Sequence, residues 1–441
     1  MYIMKKIFSL LLLSGWAISA NAQSVKFVEY TLPNGLHVIL HQDNTNPIVA
    51  VSVLYHVGSK NEKTDRTGFA HFFEHLLFEG SENIKRGEFD KYVASNGGVL
   101  NANTSQDRTY YYELLPSNQL ALGLWLESER MLHAKVESEG IETQRQVVKE
   151  EKRLRVDNQP YADAFTRVLW ENLFKKHPYR WAVIGSMEDL DAATEEDYVS
   201  FYKTFYVPNN ATLSIAGDID IEKTKKLVAD YFGSIPKGTI EIPRPNVVEE
   251  PITGEIRVEY PDKNAQIPAV LFGYRSPKQT EKDAYVLDII SNVLSNGESS
   301  RFTKEIVNKQ QLAMGAGSFL WGLEDYGVFL CFGLTNQGIE PLKLEQAMDQ
   351  QIELLKNEGI TQRELQKQIN ALEKNFLSEV SSMAGIAESL ANYHVYYGKT
   401  DMINKQLSIY QSITVEDVKR VANEYLNAHQ RVVINVVPSK E

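Results

Sequence analysis

Apolar and polar positions along this chain alternate with two different periods. VEYTLPNGLHVILHQD, from Val28, has the two-residue period of strands and breaks once, at Pro33-Asn34-Gly35, which predicts a hairpin. NPIVAVSVLYHVGS from Asn46 and TYYYELLP from Thr109 also read as strands. LALGLWLESERMLHAKV from Leu120 and GIETQRQVVKEEKRLRV from Gly140 have the longer period of amphipathic helices. Each half therefore reads as strands first, then helices, then a closing helix and strand.

The pattern then repeats. TEEDYVSFYKTFYVPNNATLSIAGD from Thr194 aligns without a gap to TVEDVKRVANEYLNAHQRVVINVVP from Thr414, an offset of 220 (414 − 194). Thr194 and Thr414 are matching helix starts, each with an Asp three residues on, and Phe201/Val421 and Phe205/Tyr425 are matching apolar positions. AQIPAVLFGYRSP in the second half resembles the strand from Asn46 in the first. The expectation is an α+β protein of two similar domains from an internal duplication, each a mainly antiparallel sheet backed by helices. GSIPKGTIEIPRPNVVEEP, Gly233 to Pro251, carries four prolines and no helical period, so it reads as a linker. The expected division is 1–22 leader, 23–235 first domain, 236–254 linker and 255–441 second domain. The length of 441 residues suits two domains.

The leader has a short basic start, Lys5-Lys6, an apolar run IFSLLLLSGWAISA, and small residues at Ala20 and Ala22. This reads as a signal peptide cut after about Ala22, the rival being an uncleaved anchor helix. No other stretch is apolar enough to span a membrane. The single cysteine, Cys331, lies in the apolar run GVFLCFGL and reads as a buried inert thiol. Export without disulfides suits a bacterial periplasm or exterior. A net charge of −12 argues against nucleic acid as a partner.

One helix carries chemistry in an apolar setting. In FAHFFEHLLFEG, from Phe69, the residues His71, Glu74 and His75 share an arc of about 100° while Phe69, Phe72, Phe73, Leu76 and Leu77 cover most of the rest. Two imidazoles at i and i+4 can hold one metal ion, and the Glu beside them suits a general base. A third ligand is required. Glu151 is the candidate: Val147, Val148 and Leu154 define a buried face with Glu151 near its middle, whereas Glu150 falls beside the solvent-side Gln146 and Arg153. His37, His41, His56, His133, His177, His394 and His429 read as packing or hydrogen-bonding residues.

With GSKNE preceding TGFAHFFEHLLFEGS and Glu151 following His75 at 76 residues (151 − 75), the chain resembles the M16 zinc metallopeptidases over most of residues 27–437. NGGVLNANTSQDRTYYYELLP, HPYRWAVIG and FYVPNNATLSIAGDI resemble further landmarks of that family. The resemblance implies two domains facing each other like a clam shell, in a short subunit of the type that pairs around a chamber. It implies one Zn²⁺ per chain on His71, His75 and Glu151, with Glu74 as general base. It implies a peptide substrate added as a strand along Val99, Leu100, Asn101, Ala102, Asn103 and Thr104.

Two departures qualify it. Where the family has Glu seven residues before the third ligand this chain has Gln144, expected as a neutral neighbour of the metal site. Where many members carry an Arg and a Tyr that grip substrate or oxyanion, SSRFTKEIVNKQQLAMG offers Val307 and Met314. The second half also has Asp288 and Asn292 where His71 and His75 would fall. The expectation is the zinc-bearing subunit of a dimer whose metal-free homologous partner supplies the missing pair. The alternative is a peptide-binding or assembly subunit without turnover.

Overall fold

The computed structural model describes residues 24–439, so the expected leader, 1–22, lies outside the described residues. The first sheet contains β1 (Val28–Thr31), β2 (His37–Gln42), β3 (Ile48–Tyr55), β4 (Val99–Thr104), β5 (Thr109–Pro116) and β6 (Ala211–Gly217). The second contains β7 (Ile256–Asp262), β8 (Ala269–Ser276), β9 (Ala313–Trp321), β10 (Gly327–Thr335) and β11 (Arg431–Pro438). Across the sheets the strands run β1-β2-β6-β3-β5-β4 and β7-β11-β8-β10-β9. Without β1 the two orders are the same, and each has its parallel pair in the same place, β2 with β6 and β7 with β11. Every other pairing is antiparallel. The duplication therefore extends to topology, and the mainly antiparallel α+β class is as expected.

The repeated helix starts have a local cause. Thr194 and Thr414 each cap their helices, Glu195–Phe205 and Val415–Tyr425, in reciprocal capping boxes with Asp197 and Asp417. No helix or strand falls between Phe232 and Ile256, the stretch read as a linker. Cys331 is buried in β10, and burial pushes its thiol pKa up, as suits an inert core residue. Among the described residues no helix is long and apolar enough to cross a membrane.

Each sheet buries one face against helices of its own half. On the other face the halves exchange a helix. Leu169, Trp170 and Leu173 of the first half pack on Leu271, Val432 and Ile434 of the second sheet. Ile386, Ala387 and Leu390, on the helix Met383–Tyr397 of the second half, pack on Ile39, Ala50 and Ala216 of the first. The offset of 220 carries Leu169 onto Ser389 in that helix, so the two exchanged segments are copies of one another. Gly273 permits the first exchange: a Cβ there would meet Leu169 at 2.6 Å. The two halves thus face one another and are locked together by these helices.

Candidate metal centre

The helix Phe69–Leu76 begins at Gly68, whose φ of 89° favours glycine. A side chain there would also collide with the Ile184 carbonyl, 2.7 Å from its Cβ position. Gly68 has no side chain with which to cap the helix, and Glu62 does so from outside. Its carboxylate accepts from the backbone N–H of Gly68 at 2.9 Å and of Ala70 at 2.8 Å. At the far end, Arg130 Nη1 donates to the Leu77 carbonyl at 2.8 Å. Tyr111 donates its hydroxyl to the Phe73 carbonyl at 2.9 Å. Arg130 itself is buried against the Phe78, Phe89 and Tyr111 rings and paired with Glu127.

The apolar side of the helix packs as its periodicity requires. Phe69, Phe72, Phe73 and Leu76 are buried. Phe69 and Phe72 lie against Tyr198, and Phe73 against Phe201, on the helix Glu195–Phe205. Each ring so buried contributes about 2 kcal/mol. His71, Glu74 and His75 are left on the remaining, half-buried side.

The helix Ser138–Lys152 lies against that side and brings Glu151 to the imidazoles. Glu151 Oε2 is 3.0 Å from His75 Nε2 and 3.5 Å from His71 Nε2. Ligand atoms about 2.0–2.1 Å from one tetrahedral Zn²⁺ lie about 3.3 Å apart, so the set fits that ion. Glu151 Oε2 is buried and faces both imidazole Nε2 atoms, where a shared cation would sit. Burial and the neighbouring His75 push the His71 pKa down to about 4, so its imidazole is neutral with a free lone pair. Hydrogen bonding to His75 outweighs burial and holds Glu151 below the ordinary carboxylate range. Glu74 goes the other way: burial raises its pKa, and Thr104 beside it pulls it only partly back. A carboxyl with a raised pKa is suited to receive and return a proton.

Other expectations fared unevenly. Glu150 is exposed and pairs with Arg153, as expected. Of the face thought buried, only Val148 is; Val147 is 42% and Leu154 55% exposed. Val147 lies about 100° round the helix from Val148 and beyond Glu151, toward solvent, and Leu154 falls in a π-helical turn, Arg153–Asp157. Gln144 donates its amide to Glu79, and Glu79 in turn pairs with Arg86. Among the described residues β4 pairs only with β5 and so presents a free edge, with Val99 and Asn101 exposed and Thr104 reaching Glu74. Val307 is half-buried, and Met314, at the start of β9, is 65% exposed.

Three supporting residues were missed. Glu62 stood within GSKNE, but its target N–H groups follow a Gly68 whose conformation sequence does not print. Arg155, whose Nε is 3.1 Å from Glu151 Oε1, follows Glu151 at i+4 and was findable from that spacing. Arg130 gave no signal, because a charged residue in an amphipathic helix reads as solvated.

Known proteins match this chain over nearly its whole fold. The family model for insulinase, peptidase family M16, matches residues 37–186, and that for the peptidase M16 inactive domain matches 192–372. The zinc protease PqqE of Helicobacter pylori is 34% identical over 435 residues, covering 97% of each chain. An uncharacterised zinc protease of Mycobacterium leprae is 28% identical over 414 residues, covering 94% of this chain and 92% of its own. Among solved structures, a protease from Helicobacter pylori has a TM-score of 0.90 at 33% identity, covering 94% of this chain and 100% of its own. The fold is shared with the periplasmic protease PqqL from Escherichia coli, TM-score 0.77 at 19% identity, of which this chain matches 48%. The chain belongs to the M16 peptidase family.

Proposed function

We propose that this chain is an exported zinc-dependent endopeptidase that cleaves oligopeptides or unfolded segments. The observation that carries the proposal is the meeting of His71 Nε2 and His75 Nε2 on a single Glu151 oxygen, with Glu74 beside them. Zn²⁺ bound by these three residues would supply a Lewis acid and lower the pKa of a coordinated water. Glu74 takes a proton from the attacking water and returns it to the leaving amine, for which its raised pKa suits it. β4, Val99 to Thr104, aligns the peptide through main-chain hydrogen bonds along its free edge. The leader with Lys5, Lys6 and Ala22 supports export. Comparing zinc content and peptide cleavage in dialysed wild type and Glu74→Gln tests this. The variant should keep its zinc and lose turnover; equal activity would remove Glu74 and the site from the reaction.

A dimer accompanies this reading. Val307 and Met314 carry no side-chain donor for a developing oxyanion, so a metal-free homologous subunit would supply an Arg and a Tyr. Full turnover by the purified chain alone would count against that partner. The same two residues favour a second reading, a peptide-binding subunit without turnover, which predicts strand binding but no product even with the native partner present.

A further inference from the structure

We propose that Glu29, His37 and His394 form a second divalent-metal site, suited to Zn²⁺, Ni²⁺ or Cu²⁺, which staples the exchanged helix of the second half to the first sheet. Glu29 lies on β1 and His37 on β2. In that ladder Glu29 opposes Ile39 and Thr31 opposes His37, so Glu29 and His37 are diagonal neighbours on one face. His394 reaches that face from the helix Met383–Tyr397. His37 Nε2 is 3.1 Å from Glu29 Oε2, and the His37 and His394 rings stack with centroids 3.5 Å apart. One donor atom from each of the three lies within 4.8 Å of the others.

The surroundings resemble those of a built site. Thr400 donates its hydroxyl to Glu29 Oε2 at 2.5 Å, and Thr31 Oγ1 lies 3.2 Å from His37 Nδ1. Such outer contacts fix the orientation of a carboxylate and an imidazole before an ion arrives. Two imidazoles and one carboxylate select borderline transition ions over Ca²⁺ or Mg²⁺. Parallel rings cannot both aim an in-plane lone pair at one ion, so binding turns His394 out of the stack. Among the described residues no hydrogen bond ties its ring nitrogens, and the turn breaks none. The Glu29 side chain is 39% exposed, which gives the ion access from solvent. β1 and β4 are opposite edges of the sheet, so this site is separate from the candidate catalytic centre.

The test uses the full chain carrying His71→Ala and His75→Ala, which removes the first centre. Titrated with zinc chloride in a calorimeter, it should bind one ion per chain, and zinc should raise its melting temperature. Adding His394→Ala, or separately His37→Gln, should abolish both effects, with circular dichroism confirming that each variant is folded. No zinc bound by the double variant would overturn the proposal. So would zinc bound equally well after either further substitution.

Discussion

The Glu62 carboxylate accepts the Ala70 N–H at 2.8 Å and so caps a helix in which it does not lie. That helix holds His71 and His75, and the loop from Glu62 to Gly68 is fixed by the same contact. Losing a helix cap costs about 1–2 kcal/mol. Glu62→Ala should therefore lower the melting temperature and weaken zinc binding together, because fraying begins one residue from His71. Glu62→Gln retains one acceptor oxygen and should lose less of both. Unchanged zinc affinity in Glu62→Ala, read by competition with a chelator, would mean that the cap does not position the ligands.

This contact also marks the boundary of what the sequence discloses. The face of the helix Phe69–Leu76 was legible because its five apolar and three titratable residues fall within about two turns, and burial follows their periodicity. The repeated strands and the paired Thr–Asp caps were legible for the same local reason. Val147 and Leu154 were not, because Val147 falls about 100° from Val148 on the solvent side of Glu151 and Leu154 enters the π turn after Lys152. The exchanged helices were not legible either. The run from Leu169 to Leu173 announces an apolar face but carries nothing to say which of two similar sheets it covers. Glu29, His37 and His394 were invisible as a group, since three elements meet only after that exchange.

Arg155 holds one oxygen of Glu151 while the other faces the imidazoles. Outer partners of metal ligands are worth about 10–100-fold in affinity. The Arg155 side chain is 77% exposed, which places its effect at the low end of that range. Arg155→Ala should weaken zinc binding by roughly 10-fold, with little change in melting temperature of the metal-free protein. An equal loss of stability without zinc would instead make Arg155 a general structural residue.

The junction between the halves should weaken in acid. Lys60, 3% exposed, lies 2.9 Å from Asp107, 2.6 Å from Glu324 and 3.0 Å from Asp325, and His56 adds a contact to Glu324 at 2.8 Å. Opposite burial, His56 and Lys60 depress the Glu324 pKa to about 2; His177 and Lys60 do the same for Asp325. Both carboxylates have folded values below their unfolded ones of about 4. Their contribution is therefore complete above that value and is lost as pH falls toward about 2. The melting temperature should fall through this window in wild type. In Lys60→Met the fall should be shallower, from a starting stability lower by roughly 3 kcal/mol, because the buried acids lose their counter-ion. Parallel acid profiles for the two proteins would show that Lys60 does not carry the dependence.

Arg108 joins the β4 edge of the first half to the second half. It stands just beyond β4, donates to Asn103 Oδ1 at 3.0 Å, and reaches Asn392 Oδ1 at 2.5 Å and the Glu388 carboxylate on the exchanged helix. Its guanidinium also lies over the Tyr110 ring, 4.9 Å from the centroid, and Tyr110 packs with Leu54 and Ala391 beneath. β4 is an edge strand with one partner, so its position relative to Glu74 depends on bracing of this kind. Arg108→Ala removes the brace without touching His71, His75 or Glu151. It should leave zinc affinity unchanged, raise KM for peptide, and speed hydrogen exchange in Val99–Thr104 and Met383–Tyr397 together. Faster exchange in β4 alone would mean that the edge strand moves independently of the exchanged helix, and that the two halves are not coupled through Arg108.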